Sequence, residues 1–257
     1  MKIKWLIQPF SFIMTVMRNR LYTAIIVLLF GIFICSGIYI IDYFSRSSKE
    51  SKQYTELKNQ ITEKTKENPV NQYQSLYEIN SDLVGWLSID NTRIDYPVVT
   101  SQEANYYLKH NFYKEYSDFG CPYIQGDIDA DNIIIYGHNM DDGSMFSDLT
   151  KYKSEDFFLN NQYISFNTLY ENRTYQIISV FKESVDLQEN NVFFYNRYSC
   201  FESEEQFNEF ISNINRLSLY SIKTEAQYGD SLLTLSTCEY SYNDGRIVVV
   251  AKLVDCN

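Results

Sequence analysis

A thiol, an imidazole and a guanidinium are the side chains of this 257-residue chain that could together carry nucleophilic chemistry, and they stand at Cys238, His138 and Arg246. A cysteine reacts as its thiolate, and a neighbouring cation makes that charge easier to form. Cys238 closes the run Leu232-Leu233-Thr234-Leu235-Ser236-Thr237-Cys238, while Arg246 opens a Val-rich run behind Asn243-Asp244-Gly245, a sequence that reverses a chain. The pattern predicts a hairpin with Cys238 and Arg246 facing each other across it. Only two histidines exist, His110 and His138, which restricts the proton carriers available near neutral pH. His138 follows the strand pattern Asn132 to Tyr136 and opens the polar loop that ends at Gly143, a setting in which a strand delivers a side chain to the rim of a cleft. His110 reads as a surface residue at a helix end. Taken singly, each member of the trio has an ordinary reading: a half-buried strand cysteine, an exposed histidine and a solvated arginine at a strand start.

These groups need a scaffold that brings distant stretches together. From Leu76 onward short apolar runs alternate with turn residues, beginning with Gly85 to Ile89, then Asp90-Asn91, then Thr92 to Val99, the pattern of a β-hairpin. Further strand patterns rich in Ile, Val, Tyr and Phe cover 121–124, 132–136, 163–166, 174–181, 231–236 and 246–254. Two stretches break the rhythm. Glu103 to His110 fits a short helix, and Ser203 to Leu217 places Phe207, Phe210, Ile211, Ile214 and Leu217 at three-and-four spacing, with Ser203 as the capping start. Many short strands with few helices predict a mainly β fold, a closed barrel with peripheral helices of which one is inserted between late strands.

Before this domain, residues 21–41 carry no charge and match the roughly 20 residues needed to cross a bilayer. They run longer than a signal-peptide core and lack a small-residue cleavage site, so the expectation is a retained transmembrane helix. Lys2, Lys4, Arg18 and Arg20 precede it without an acidic residue, which predicts a cytoplasmic N-terminus. The expected organisation is a basic segment at 1–20, the span at 21–41, a polar stalk, partly helical at most, at 42–75, and an extracellular domain at 76–257. All 33 acidic residues and 18 of the 22 basic ones follow the span, a net 15 negative charges that disfavours nucleic-acid binding. Of the five cysteines, Cys35 falls inside the span, and the spacing of the others fits neither a metal site nor a Cys-x-x-Cys redox pair. A pairing among Cys121, Cys200 and Cys256 stays open. Asp127, Asp129 and Asp131 lack the glycine and distal glutamate of a calcium loop and read as a solvated turn. No metal or organic cofactor is called for.

The segment Thr234 to Cys238, Arg246 opening the next strand, and Tyr136-Gly137-His138 upstream together resemble the signature of the sortase family, class B. The resemblance extends over roughly residues 76–254, through Val84 to Ile89, Ile94 to Val99, Asn105 to Leu108 and the late helix. Cys121-Pro122-Tyr123 departs from the small or apolar residues usual there and leaves a second exposed thiol open. The resemblance implies a membrane-anchored cysteine transpeptidase acting on secreted proteins with a C-terminal sorting motif, Asn-Pro-x-Thr-x or a Ser/Pro-Pro-x-Thr-Gly variant. It implies Cys238 as nucleophile, His138 as proton partner and Arg246 as the cation at the carbonyl oxygen, with Tyr136, Ser236, Thr237, Glu239 and Asn105 as substrate-groove or positioning groups. The acceptor it implies is an amine of a peptidoglycan precursor or wall peptide. Two other readings compete with it: an anchored cysteine peptidase that hydrolyses wall peptides, and a non-catalytic surface domain that binds through its many tyrosines.

Overall fold

The structure, a computed structural model, describes residues 7–67, 72–184, 192–222, 224–238 and 245–256. The chain divides into two compact units, one up to Lys49 and one from Glu50 onward. Helix α1 (Ile7–Glu67) belongs to both, and its first half holds a stretch long and apolar enough to cross a membrane. The expected polar spacer, partly helical at most, is helical through Glu67. No Gly or Pro interrupts 42–67, and its Lys, Glu and Gln residues lose little side-chain freedom in a helix. From Glu50 this helix has a buried face: Glu50, Tyr54 and Leu57 recur at four- and three-residue spacing, one stripe of a helix.

Helix α2 (Gln74–Ile79) leads into an eight-stranded closed barrel. The strands are β1 (Leu83–Ser88), β2 (Asp95–Thr100), β3 (Tyr123–Ile124), β4 (Asn132–Tyr136), β5 (Tyr163–Thr168), β6 (Arg173–Ser184), β7 (Leu232–Cys238) and β8 (Gly245–Cys256). Around the barrel the order is β1, β2, β3, β4, β7, β8, β6, β5, and β5 closes on β1. Two neighbouring pairs run parallel, β2 with β3 and β4 with β7; the others are antiparallel. Every strand has a neighbour on both sides, and the two-residue β3 is the short link between β2 and β4.

β7 is buried along nearly its whole length, as expected of a strand covered on both faces. The cover on its outer face is helix α4 (Glu204–Leu217) with the segment before it. Ser203 caps α4 by accepting the N–H of Gln206, and Glu204 and Glu205 lie in the first turn, where carboxylates favour the helix dipole. Phe207, Phe210 and Ile214 turn inward onto Phe181, Leu232, Val248 and Val250. Each such burial favours the packed state by roughly 1.5–3 kcal/mol. A short α3 (Glu155–Asn160) and 3₁₀ turns complete the domain. The expected helix at 103–110 is only a 3₁₀ turn, Tyr106–Leu108, entered from Asn105 at φ 61°. Cys121 is not an exposed thiol: it is 3% exposed, and its Sγ lies 3.7 Å from Pro97 O. No disulfide joins the five cysteines. Among the described residues no group of His, Cys, Asp or Glu is arranged to hold a metal, and Asp127 and Asp131 accept backbone N–H groups of Asp129 and Phe201.

Candidate active site

Strand alternation decides which side chains share a face. In β7 and β8, Cys238 lies opposite Arg246, Ser236 opposite Val248 and Thr234 opposite Val250. Opposed residues of neighbouring strands point to the same side, and so do residues two apart. Ser236 also pairs with Tyr136 on β4, Tyr136 with Tyr123 on β3, and Arg246 with Glu183 on β6. Cys238, Ser236, Arg246, Tyr136 and Tyr123 therefore occupy one side of the barrel wall, the side that α4 and the aromatic residues before it cover further down.

His138 reaches the same end through the parallel pairing of β4 with β7. Tyr136 and Ser236 are the last pair in register, and His138 and Cys238 each stand two residues beyond. Three bonds hold these strand ends together: Gly137 N–H donates to Ser236 O at 3.2 Å, Thr237 Oγ1 donates to Gly137 O at 2.7 Å, and Asn139 Nδ2 donates to Cys238 O at 2.9 Å. The imidazole is held from behind, with Nε2 2.8 Å from Leu108 O. A carbonyl only accepts, so Nε2 carries a proton there and Nδ1 is the nitrogen left to exchange one. The loop after His138 folds back: Phe146 N–H donates to His138 O at 2.8 Å, and Asn139 forms a bridge with Met145. The structure thus brings Cys238, His138 and Arg246, all half-buried, to one end of the barrel. Arg246 Nη1 donates to Gly245 O at 2.9 Å.

Tyrosines line the neighbourhood. The rings of Tyr123 and Tyr136 stack with centroids 5.6 Å apart, and Tyr195 OH shares a 2.7 Å hydrogen bond with Ser236 Oγ. Burial pushes the Tyr123 phenol up to about 12; the nearby Arg246 charge opposes the shift and Cys238 adds to it. Burial likewise raises Tyr136 and Tyr195, again against the pull of Arg246. All three are neutral at physiological pH; Tyr195, wholly buried, is tied to Ser236, and Tyr123 OH donates to Asn105 Oδ1.

The other expected residues differ in placement. Tyr136 and Ser236 lie on the face of Cys238. Asn105 is exposed and linked to it through its Oδ1, which accepts from Tyr123 OH at 3.3 Å. Thr237 points to the opposite face, where its hydroxyl ties β7 to Gly137. Glu239 and the first two residues of the expected Asn-Asp-Gly turn, Asn243 and Asp244, lie outside the described residues, and Gly245 opens β8. His110 is half-buried and stacks on Tyr106 at 3.9 Å between ring centroids, a structural placement rather than a free surface one. Sequence reasoning missed Tyr123, Tyr195 and Asn139. Tyr123 and Tyr195 carry no local pattern, whereas Asn139 follows directly on His138.

A thiol opposite a guanidinium, with an imidazole at the same end of the barrel and neutral tyrosines on the wall, suits acyl transfer from a peptide carbonyl. Comparison with known proteins points the same way. A profile of the sortase domain matches residues 87–254. A sortase B of Listeria monocytogenes is 35% identical over 187 residues, covering 70% of this chain and 73% of the relative. A sortase B of Staphylococcus aureus is 28% identical over 245 residues, 92% of this chain and 98% of the relative. The solved structure of a Staphylococcus aureus sortase B–substrate complex superposes with a TM-score of 0.73 at 28% identity, over 82% of this chain and 99% of that one. With its closed barrel, its peripheral helices and this match across the domain, the chain belongs to the sortase family, as a class B cysteine transpeptidase.

Proposed function

We propose that the chain cleaves the C-terminal sorting motif of secreted proteins, of the Asn-Pro-x-Thr-x or Ser/Pro-Pro-x-Thr-Gly type, after threonine and joins the new end to a cell-wall amine. Cys238 Sγ, as thiolate, attacks the threonine carbonyl carbon, and Arg246 donates to the oxygen on which charge develops. The C–N bond then breaks. His138 gives its proton to the departing amine, which otherwise is a strongly basic leaving group. The product is a thioester on Cys238. An amine of a peptidoglycan precursor or wall peptide attacks it and returns a proton to His138, and the thiolate leaves. No carboxylate is needed to orient a neutral histidine, because the pair works as thiolate and imidazolium, with Leu108 O holding the ring. Tyr136 and Asn105, with Tyr123, line the groove, and the buried Ser236–Tyr195 pair supports them from beneath.

The observation that carries this reading is the pairing of Cys238 with Arg246 across β7 and β8, with the loop of His138 bonded to the Cys238 carbonyl. The apolar stretch of α1 anchors the enzyme in the cell membrane as a single pass, with residues 1–20 on the cytoplasmic side and the domain outside. The test is mass spectrometry of the enzyme with a panel of sorting peptides and amines. A thioester on Cys238 and a peptide–amine product are expected, and Cys238→Ala should form neither. A Cys238→Ala enzyme that still joined or cut the peptide would remove the nucleophile from the scheme. Cleavage without transfer to any amine would make the protein a hydrolase.

A further inference from the structure

We propose that Tyr54, on the part of α1 that packs against the barrel, is a positioning residue for the imidazole of His138. The proposal rests on the reading of His138 as proton carrier. Tyr54 is buried, and its hydroxyl donates to Gly120 O at 3.0 Å. Burial, followed by the proximity of Cys121 and Glu50, raises this phenol well above its ordinary range, so it stays a donor at any pH at which the enzyme works. Gly120 in turn lies directly against the histidine. A Cβ at Gly120 would stand 3.2 Å from His138 Cδ2, 3.2 Å from Leu108 O and 2.5 Å from Tyr107 O. Leu108 O is the acceptor of the His138 Nε2 proton. The Gly120 backbone is therefore a shelf under both the ring and the carbonyl that orients it. Gly120 holds φ +64°, a conformation open to glycine and strained for other residues.

A second arm leaves the same tyrosine. The Tyr54 ring meets Tyr96 edge-on at 5.1 Å, and Tyr96 OH accepts the Met145 N–H at 3.1 Å. Met145 bridges to Asn139, whose amide donates to Cys238 O. One side chain of α1 thus braces the histidine from behind and, through Tyr96, the loop that links it to the nucleophile. Residues that hold a catalytic group in place act through its geometry, which is where small displacements become large rate losses.

Tyr54→Phe deletes the hydroxyl and keeps the ring on Tyr96. The experiment uses the full chain in detergent micelles with ring-¹⁵N histidine, whose two histidines give two separable sets of nitrogen signals. In the parent, His138 should show a proton fixed on Nε2. In Tyr54→Phe the His138 signals should move toward mixed tautomers while His110 stays in place. The kcat for peptide transfer should fall about tenfold with KM within about twofold, as for a displaced proton carrier. Leu57→Val, a purely apolar loss on the same helix face, serves as the control: it should lower the unfolding temperature while leaving the His138 signals and kcat as in the parent. Unchanged His138 signals and kcat in Tyr54→Phe would overturn the proposal, as would equal changes in Leu57→Val. If the parent transfers no peptide yet Tyr54→Phe displaces the His138 signals, the positioning stands and the proton-carrier reading falls.

Discussion

Gly137 separates the end of β4 from His138, and a single methyl group there tests how rigidly the loop of His138 is built. A Cβ at Gly137 would lie 2.6 Å from Phe146 Cγ and 2.8 Å from both Cδ atoms. Ordinary contact begins near 3.4 Å, so the ring would have to retreat by about 0.8 Å. Phe146 is wholly buried, and its N–H is bonded to His138 O, so the ring has little room and its backbone pulls on the histidine. Overpacking of this kind costs roughly 1–3 kcal/mol. In a domain of about 200 residues each kcal/mol lowers the unfolding temperature by about 2–4 °C, so Gly137→Ala should lose roughly 2–12 °C. A misplacement approaching 1 Å at a catalytic group costs on the order of 10²-fold in rate, and kcat should fall by roughly 10–100-fold. Calorimetry and a peptide-transfer assay read the two effects. Phe146→Leu on its own opens space, and in the double variant it should restore part of both losses, a coupling of about 0.5–3 kcal/mol. A Gly137→Ala enzyme with parental stability and rate, or a double variant whose losses simply add, would refute the claim that Phe146 locks this loop.

Arg246→Lys should lower kcat by on the order of 10²–10³-fold, because a point ammonium cannot replace the planar fork that meets a developing oxyanion; near-parental turnover in the transfer assay would remove Arg246 from that role. Tyr195→Phe leaves the buried Ser236 hydroxyl without its 2.7 Å partner and should cost about 1–2 kcal/mol, read as a lower denaturation midpoint. Cys121 is buried and its thiol is pushed up by that burial, so iodoacetamide at pH 8 should label Cys238 in the native enzyme and reach Cys121 only after denaturation. Burial also raises Tyr73, Tyr96 and Tyr123 to about 12 each. An unfolded tyrosine ionises near 10, so the stability these phenols contribute is complete below about pH 10 and is lost as pH rises toward 12. Phenolate absorbance should therefore rise in a late step that coincides with unfolding.

The parts of this fold that were legible in the sequence are those set by local pattern. Alternation in 85–99 announced the β1–β2 hairpin, the 132–136 strand was bounded correctly, and the spacing of Phe207, Phe210 and Ile214 revealed α4 with its Ser203 cap. The pairing of Cys238 with Arg246 followed from two strand patterns around a reversal. What stayed hidden depends on contacts between distant segments. Nothing near Tyr195 marks it as the partner of Ser236, and nothing near Cys121 shows that α1 and the barrel enclose it. The stretch 50–61 is polar enough to read as a spacer, and its few apolar residues become a stripe only once it coils as a helix. The family resemblance puts Asn105 and Thr237 among the groove or positioning groups; the first is linked to the face of Cys238 through Tyr123, and the second faces away.

The adjacency of β4 and β7 also fixes when the enzyme can become active. Asn132 and Thr234, Gly137 and Thr237, and Asn139 and Cys238 are hydrogen-bonded across 102, 100 and 99 positions of sequence. Contacts of such long range form slowly and require the intervening chain to be in place. A polypeptide still being synthesised, or one truncated before residue 231, therefore has its histidine but neither the strand that seats it nor the sulfur. The site closes only when β7 and β8 join the barrel, so a partly made chain holds the imidazole without the thiol and the guanidinium that share its end.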